Sequence, residues 1–200
     1  MQVENNLISY MKDLSILVNQ SAINGGYDPL LKNRIRENCS FLATIIDSTD
    51  AYQEGHAQRK AGYAASLACQ LGLNEIQQET VSLAALLHDI GKLGLDVDLL
   101  LKMGSLSPEE LKIIRKHPLL SERILMPLGF SWDLLCAVRS HHECPKGNGY
   151  PDGLQNNEIP VEASIIKIID AFGAMIDNRP YRKALPITKA ISELEKGKGI

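Results

Sequence analysis

The chain has 200 residues, of which 44% are hydrophobic and 22% are charged, and its formal net charge at pH 7 is −3. This length suits one buried core with an appended helical segment rather than two full domains, and the weak negative charge excludes binding of a nucleic acid polymer through bulk positive charge. Because no CxxC spacing, signal peptide or apolar run of about 20 residues is present, we expect a cytoplasmic protein with free thiols and no membrane span.

The first fifty residues are predicted to form two helices. Apolar residues recur at helical spacing in both, and the first helix should end before the Asn-Gly-Gly turn at 24–26. The second is predicted over 29–47. Neither helix carries a group of residues that suggests chemistry, so we interpret residues 1–50 as an N-terminal helical segment and residues 51–200 as the functional domain.

The next two predicted helices carry polar residues at their ends. His56 opens a helix with a face of small residues, which suits close contact with a neighbouring helix. Residues 74–77 have the form of a capping box and begin a largely apolar helix. His88 and Asp89 follow this apolar run, so we expect them at the end of a central, mostly buried helix.

Two further helices each place histidine at an end. Ser107 has the form of an N-cap, followed by proline, and begins a short helix that is predicted to end at His117. Pro118 can start another short helix, after which Ser131 caps a segment that ends at His141 and His142. The sequence therefore repeats one arrangement, in which a helix terminus carries an imidazole.

The C-terminal part combines a loop with two helices. Residues 143–153 are too rich in Gly and Pro to form anything but an ordered loop. The apolar stretch 160–175 predicts a helix that contains Asp170, and a last helix is predicted over 187–194. Since no alternating strand pattern occurs anywhere, the fold class is predicted to be all-α.

All five histidines of the chain fall at predicted helix ends. Residues 84–92 alone are explained equally well by a helix C-terminus closed with polar residues. However, Asp89 and Asp170 also lie in apolar surroundings, where an unpaired polar group costs roughly 2–7 kcal/mol. One shared site is a better explanation than a series of independent positions. The candidate metal ligands are His56, His88, Asp89, His117, His141, His142 and Asp170.

These ligand types indicate a transition-metal centre. Imidazoles with a few carboxylates favour Fe or Mn, with Zn or Ni as alternatives, over Mg or Ca, which prefer oxygen shells. Seven ligands are too many for one ion, so two ions that share a bridging carboxylate are predicted. Such pairs, about 3.5–4 Å apart, typically clamp the attacking and leaving oxygens of a phosphoryl transfer.

The ordered set of motifs resembles the HD-GYP family, a branch of the HD phosphohydrolases that hydrolyse cyclic di-GMP. The His-Asp-Ile-Gly-Lys stretch at 88–92 precedes the other histidines, and Gly-Tyr-Pro follows at 149–151. Residues 178–185 are similar to the family's Arg-Pro-Tyr-Arg signature. The resemblance runs from about residue 50 to the C-terminus and implies an HD-domain helical bundle.

The resemblance also implies a role for each ligand. One ion would be bound by His56, His88, Asp89 and Asp170, and the other by His117, His141, His142 and Asp89 as the bridge. A water between two cations supplies hydroxide near neutral pH, so no separate strong base is needed. Lys92 would contact the scissile phosphate and offset its developing charge, which makes Asp89 and Lys92 the candidate catalytic residues.

The resemblance implies three more substrate contacts. Arg179 and Arg182 would bind phosphate oxygens through their planar guanidinium groups, with a solvated charged loop as the alternative. Tyr150 lies in a loop whose glycines allow the backbone to approach a ligand, although a purely structural turn explains it equally well.

Three departures from the family pattern bear on function. Tyr52 stands where members with a third metal carry glutamate, so two ions are expected. In the loop, Lys146 stands at the position where the family usually has aspartate, and Pro145 precedes it. We expect this departure to alter loop shape, partner contacts or substrate fit. The family usually continues into a closing helix, whereas this chain stops at Ile200. We therefore expect the last helix of the family to be missing here. A trimmed chain and a naturally shortened member would look alike.

The function that the resemblance implies is metal-dependent opening of cyclic di-GMP to the linear dinucleotide, with onward cleavage to GMP left open. One alternative is an HD phosphohydrolase for another cyclic dinucleotide or a nucleoside polyphosphate. The other is an inactive module that binds the dinucleotide or a signalling partner, such as a sensor domain or a diguanylate cyclase-type protein. Lys146 and the short C-terminus favour this module, whereas the intact ligands and Lys92 favour the enzyme. The oligomeric state is left open.

Overall fold

The structure is a computed structural model that describes residues 2–23, 28–49, 55–102, 104–178 and 183–197. Within these ranges the chain forms helices and no strand, which confirms the all-α prediction; one isolated antiparallel bridge joins Lys146 and Gln155. None of the described helices has the length and apolar character needed to cross a bilayer. The cysteines Cys39, Cys69, Cys136 and Cys144 are free thiols.

Ten α-helices follow one another along the described ranges: α1 Gln2–Ile23, α2 Pro29–Thr49, α3 His56–Gln70, α4 Glu75–Leu87, α5 Val97–Leu100, α6 Pro108–Ile114, α7 His117–Leu125, α8 Trp132–Ser140, α9 Val161–Ile176 and α10 Ile187–Lys196. Short 3-10 helices cover Ile90–Gly94, Met126–Leu128 and Asn156–Glu158. The helix boundaries agree with the sequence predictions to within two or three residues, and the capping boxes predicted at Asn74 and Ser107 are confirmed. The very short α5 was not predicted.

The boundary between α6 and α7 differs from the sequence prediction. Helix α6 ends at Ile114 and not at His117, which instead is the first residue of α7. Pro118 has no N–H to give to a preceding helix, but it is tolerated in the first turn of a new one. His117 is therefore fixed by the helix that follows it.

Helix α4 is the centre of the core. Every residue from 81 to 87 is buried, because α2, α3, α8 and α9 all pack against this helix. Helix α3 approaches closely through buried alanines, among them Ala61, Ala64 and Ala68. Full burial of a leucine such as Leu87 contributes roughly 1.5–3 kcal/mol to stability. The C-terminal end of α4 consequently lies inside the protein.

The N-terminal helices belong to the same core and also fix the start of α3. Helix α1 packs on α2, which in turn packs on α3 and α4. The N-cap of α3 is Gly55, which has no side chain to cap the helix. The buried carboxylate of Asp47, from α2, instead accepts a hydrogen bond from the Ala57 N–H at 3.2 Å. The position of His56 therefore depends on α2.

Candidate metal centre

The buried imidazole of His88 follows the last residue of α4. Its Nδ1 lies 2.9 Å from the Ala85 carbonyl oxygen, and since a carbonyl only accepts, Nδ1 carries the proton. Its Nε2 is buried without a hydrogen-bond partner among the described residues. This atom lies 3.3 Å from Asp89 Oδ2 and 3.8 Å from Asp170 Oδ1. In a metal-ligating histidine, the other ring nitrogen usually donates a hydrogen bond that fixes the ring. His88 has this arrangement, and the lone pair on its Nε2 faces two carboxylates.

A glycine and a serine hold the His-Asp segment against α7. The Ser121 hydroxyl donates to the His88 carbonyl at 2.7 Å and accepts from the Gly91 N–H at 2.8 Å. A Cβ at position 91 would overlap the His117 carbonyl oxygen, so only glycine permits this approach. These contacts bring His88 and His117 together.

His117 and His141 point their Nε2 atoms at each other. Their Nδ1 atoms lie 2.8 Å from Ile114 O and 2.6 Å from Val138 O, so each Nδ1 donates to its own chain. Both Nε2 atoms therefore carry lone pairs, and they are only 3.2 Å apart. Burial lowers the pKa of both imidazoles, which disfavours a proton between them. A metal ion is the cation that both Nε2 lone pairs could bind at once.

The ligand atoms form two groups that share one histidine. His117, His141 and His142 have ligand atoms that all lie within 4.8 Å of one another. His88, Asp89 and His141 meet the same condition. Burial lowers the pKa of His142 to about 4, so its ring is neutral near pH 7 and able to bind a metal. The sequence interpretation gave His141 to one ion, whereas here it borders both groups.

Each carboxylate of the cluster has a lysine beside it. Lys92 Nζ lies 2.7 Å from Asp89 Oδ2, and Lys60 Nζ lies 2.6 Å from Asp170 Oδ1. Burial would raise the pKa of both carboxyl groups. The neighbouring imidazoles and ammonium groups outweigh it and hold both pKa values well below their usual range. Lys60 was not recognised in the sequence, where its one signal is a position one helical turn after His56.

His56 lies outside both ligand groups. Its Nδ1 is 2.9 Å from Asp177 Oδ2, and Arg59 donates to the other oxygen of Asp177 at 2.7 Å. Burial lowers the pKa of His56, so the ring favours its neutral form. Its place in a metal shell stays a prediction, and Asp177 is a neighbour that the sequence did not single out.

The Gly-Tyr-Pro loop folds around a buried carboxylate. Glu143, only 1% exposed, accepts hydrogen bonds from the backbone N–H groups of Asp152 at 2.6 Å, Gly153 at 3.0 Å and Leu154 at 3.1 Å. A Cβ at Gly149 would lie 2.5 Å from the Glu143 Cα, so this position requires glycine. The sequence analysis gave Glu143 no role, because its backbone partners follow a turn that only the fold shows.

Tyr150 lies directly on the histidine cluster. Its ring stacks on that of His142, with centroids 4.7 Å apart, and the Arg115 guanidinium carbon is 5.3 Å from its centroid. Burial raises the pKa of Tyr150 to about 12, so its hydroxyl remains a hydrogen-bond donor. The predicted substrate contacts Arg179 and Arg182, and also Tyr52, lie outside the described residues.

A family model for the HD domain matches residues 40–200. The chain belongs to the HD domain family. Its relatives include a cyclic di-GMP phosphodiesterase response regulator, RpfG, from Xanthomonas campestris, which is 35% identical over 84% of this chain and 45% of its own length. A cyclic di-GMP phosphodiesterase from Thermotoga maritima is 34% identical over 80% of this chain and 44% of its own length.

Two further comparisons concern another relative and a solved structure. A 3'3'-cGAMP-specific phosphodiesterase 3 from Vibrio cholerae is 38% identical over 76% of this chain and 33% of its own length. The chain thus spans less than half the length of these relatives. A solved structure titled Bd1817, a HDG"Y"P protein from Bdellovibrio bacteriovorus, has a TM-score of 0.60 and 19% identity, and covers 95% of this chain and 65% of that one. This likeness supports the HD-domain fold. The relatives named cyclic di-GMP phosphodiesterases confirm the resemblance to the HD-GYP branch.

We expect Glu143→Gln to loosen the loop of this HD domain. The amide keeps one acceptor oxygen, but its NH₂ group replaces the oxygen that accepted from the other backbone N–H. Because a buried donor then loses its acceptor, the free energy of unfolding should fall by roughly 1–3 kcal/mol. Urea unfolding and hydrogen exchange at residues 152–154 measure the effect. The control is Glu158→Gln, because Glu158 is exposed and accepts from one backbone N–H, at 2.8 Å. Equal stability losses in both variants would contradict a special role for Glu143.

Proposed function

We propose that this HD domain binds two divalent transition-metal ions and uses them to hydrolyse cyclic di-GMP to the linear dinucleotide. The observation that carries the proposal is the pair of opposed lone pairs on His117 Nε2 and His141 Nε2, 3.2 Å apart. The unpartnered Nε2 of His88 adds a third buried ligand atom beside them. Relatives named for cyclic di-GMP or 3'3'-cGAMP support a cyclic dinucleotide as the substrate.

The residues fit two ions because Asp89 faces both ligand groups. Its Oδ1 lies 3.3 Å from His117 Nε2, and its Oδ2 lies 3.3 Å from His88 Nε2. One ion would be held by His117, His141, His142 and Asp89, and the other by His88, Asp89, Asp170 and His56. The excess of imidazole nitrogens favours Fe or Mn, with Zn and Ni as alternatives.

The chemistry that two such ions supply when bound is activation of water near neutral pH and neutralisation of phosphate charge. The chain's own groups orient and complement that centre. The Nδ1–H donors fix the rings of His88, His117 and His141 toward the ligand positions. The Lys92 side chain is 22% exposed, so its ammonium lies where a phosphate that approaches Asp89 would meet positive charge. The Tyr150 hydroxyl is a candidate donor to the substrate.

A second candidate substrate is 3'3'-cGAMP. It is favoured by the relative at 38% identity, whose name gives that specificity. A cyclic dinucleotide of either kind presents two phosphodiesters, so the residues that would hold the two ions fit both substrates. The choice between the bases therefore depends on groups around the centre, of which Arg115 and Tyr150 are the described candidates.

The test combines metal analysis with a product assay. We expect the chain, loaded anaerobically with excess Mn²⁺ and freed of unbound ion, to hold about two ions and to linearise cyclic di-GMP; the assay also includes 3'3'-cGAMP. A folded chain that holds no metal under these conditions would contradict the metal centre. Binding of the dinucleotide without cleavage at full metal loading would favour a receptor, and faster cleavage of 3'3'-cGAMP would favour the second substrate.

A further inference from the structure

Lys60 is a buried cation that the proposed function does not use. The residue is only 8% exposed, and its ammonium meets Asp170 Oδ1 at 2.6 Å. Lysine is almost never buried to this extent unless it is paired. The pair joins α3 to α9 across the metal centre, and Asp170 is one of the carboxylates predicted to bind an ion.

A glycine inside α9 makes room for this lysine. Gly173 is buried and lies one turn after Asp170. A Cβ at this position would lie 3.3 Å from the Lys60 Cε and 3.6 Å from its Cγ, so most side chains would crowd the lysine stem. Glycine in a helix interior is unfavourable compared with alanine, because it loses more backbone freedom on folding. The sequence thus keeps a helix-weakening residue where the Lys60 side chain passes.

The two proposed metal sites share Asp89 and differ in whether they need Asp170. The group of His117, His141 and His142 consists of neutral imidazoles and does not use Asp170. An ion that uses Asp170 must instead share this carboxylate with the Lys60 ammonium or displace it. Repulsion between a divalent ion and an ammonium a few ångströms away persists in a protein interior, where the effective dielectric constant is far below that of water.

We propose that Lys60 is a positioning residue that makes the two metal sites unequal. The first ion binds tightly at the His117, His141 and His142 group. The second ion needs Asp170 and binds more weakly, because Lys60 already holds one oxygen of this ligand. The inference rests on the proposed two-metal function, and its consequence is that the metal concentration sets how much of the chain is fully loaded.

The test is anaerobic titration of the metal-free chain with Mn²⁺, followed by calorimetry and by electron paramagnetic resonance. We expect two affinities that differ by about tenfold or more, which corresponds to at least about 1.4 kcal/mol. The spectrum at one equivalent should show isolated Mn²⁺, and spin coupling should appear only with the second. Lys60→Met should strengthen the second site by about tenfold or more and leave the first unchanged. His117→Ala should remove the tighter affinity.

Two further variants keep the titration decisive. Lys60→Gln retains a polar group without the charge and should also strengthen the second site, which covers the case that Lys60→Met fails to fold. Lys102→Met is the matched control, because Lys102 also pairs with a carboxylate at 2.7 Å, that of Glu110, but its side chain is 41% exposed. It should change neither affinity.

Each outcome of the titration decides one claim. Two equal affinities in the parent chain, or an affinity ratio that both Lys60 variants leave unchanged, would overturn the role of Lys60 while the two-metal function stands. A parent chain that binds no Mn²⁺ would overturn both the inference and the metal centre.

Discussion

Asp89→Asn should abolish hydrolysis of the cyclic dinucleotide, with a rate loss of roughly 10³-fold or more, as when a central catalytic group is removed. Asp89 turns one oxygen toward His117 and the other toward His88, so both proposed ions would share its negative charge. Without this charge, two cations at close range would repel each other. The amide also removes the carboxylate charge that the Lys92 ammonium meets at 2.7 Å.

The measurement is single-turnover cleavage together with metal content and thermal unfolding of the same preparation. We expect fewer than two ions per chain and a lower melting temperature when metal is present, because metal binding is coupled to folding. Asp13→Asn is the control, since Asp13 is an exposed carboxylate on α1. Activity of the Asp89 variant within a few-fold of the parent, at matched metal content, would refute its assignment as the bridge.

The parts of the fold that local rules determine were predictable from the sequence. The capping boxes at Asn74 and Ser107 satisfy backbone N–H groups within one turn, so residue types three apart are sufficient to identify them. The boundary at His117 was missed because a residue directly before Pro118 fits either the end of one helix or the first turn of the next. Only packing against the Gly91 turn, through Ser121, selects the second.

The candidate site also contains some residues that the sequence reveals and others that only the fold reveals. The candidate histidine ligands lie at helix ends in a characteristic order, which the sequence alone reveals. Lys60, Glu143 and Ser121 were missed because each acts on a partner that a different segment brings close. In the sequence Lys60 looks like an ordinary lysine of an amphipathic helix, and nothing local shows that Asp170, 110 residues later, will meet it. The sharing of His141 between two ligand groups is likewise a property of the packing of α4, α7 and α8.

Lys92→Ala should lower kcat by roughly 10²–10³ and change substrate affinity less, which is the effect of losing one group that stabilises the transition state. The ammonium lies 2.7 Å from Asp89 Oδ2, so a phosphate bound at this carboxylate would meet its positive charge. Because the ions, when bound, would still neutralise the ground-state phosphate without Lys92, the loss should appear in the rate of bond cleavage.

An alternative role for Lys92 is to neutralise Asp89 without touching the substrate. In that case Lys92→Ala should change the metal affinity, because Asp89 would offer an unshielded charge, while cleavage at equal metal loading should stay nearly intact. Single-turnover cleavage of cyclic di-GMP by parent and variant at equal metal content separates the two roles. Lys112→Ala, which removes an exposed lysine of α6, controls for the loss of net positive charge. Equal cleavage rates in the parent and Lys92→Ala would remove Lys92 from the mechanism, because a group that meets the developing charge cannot be lost without slowing the step.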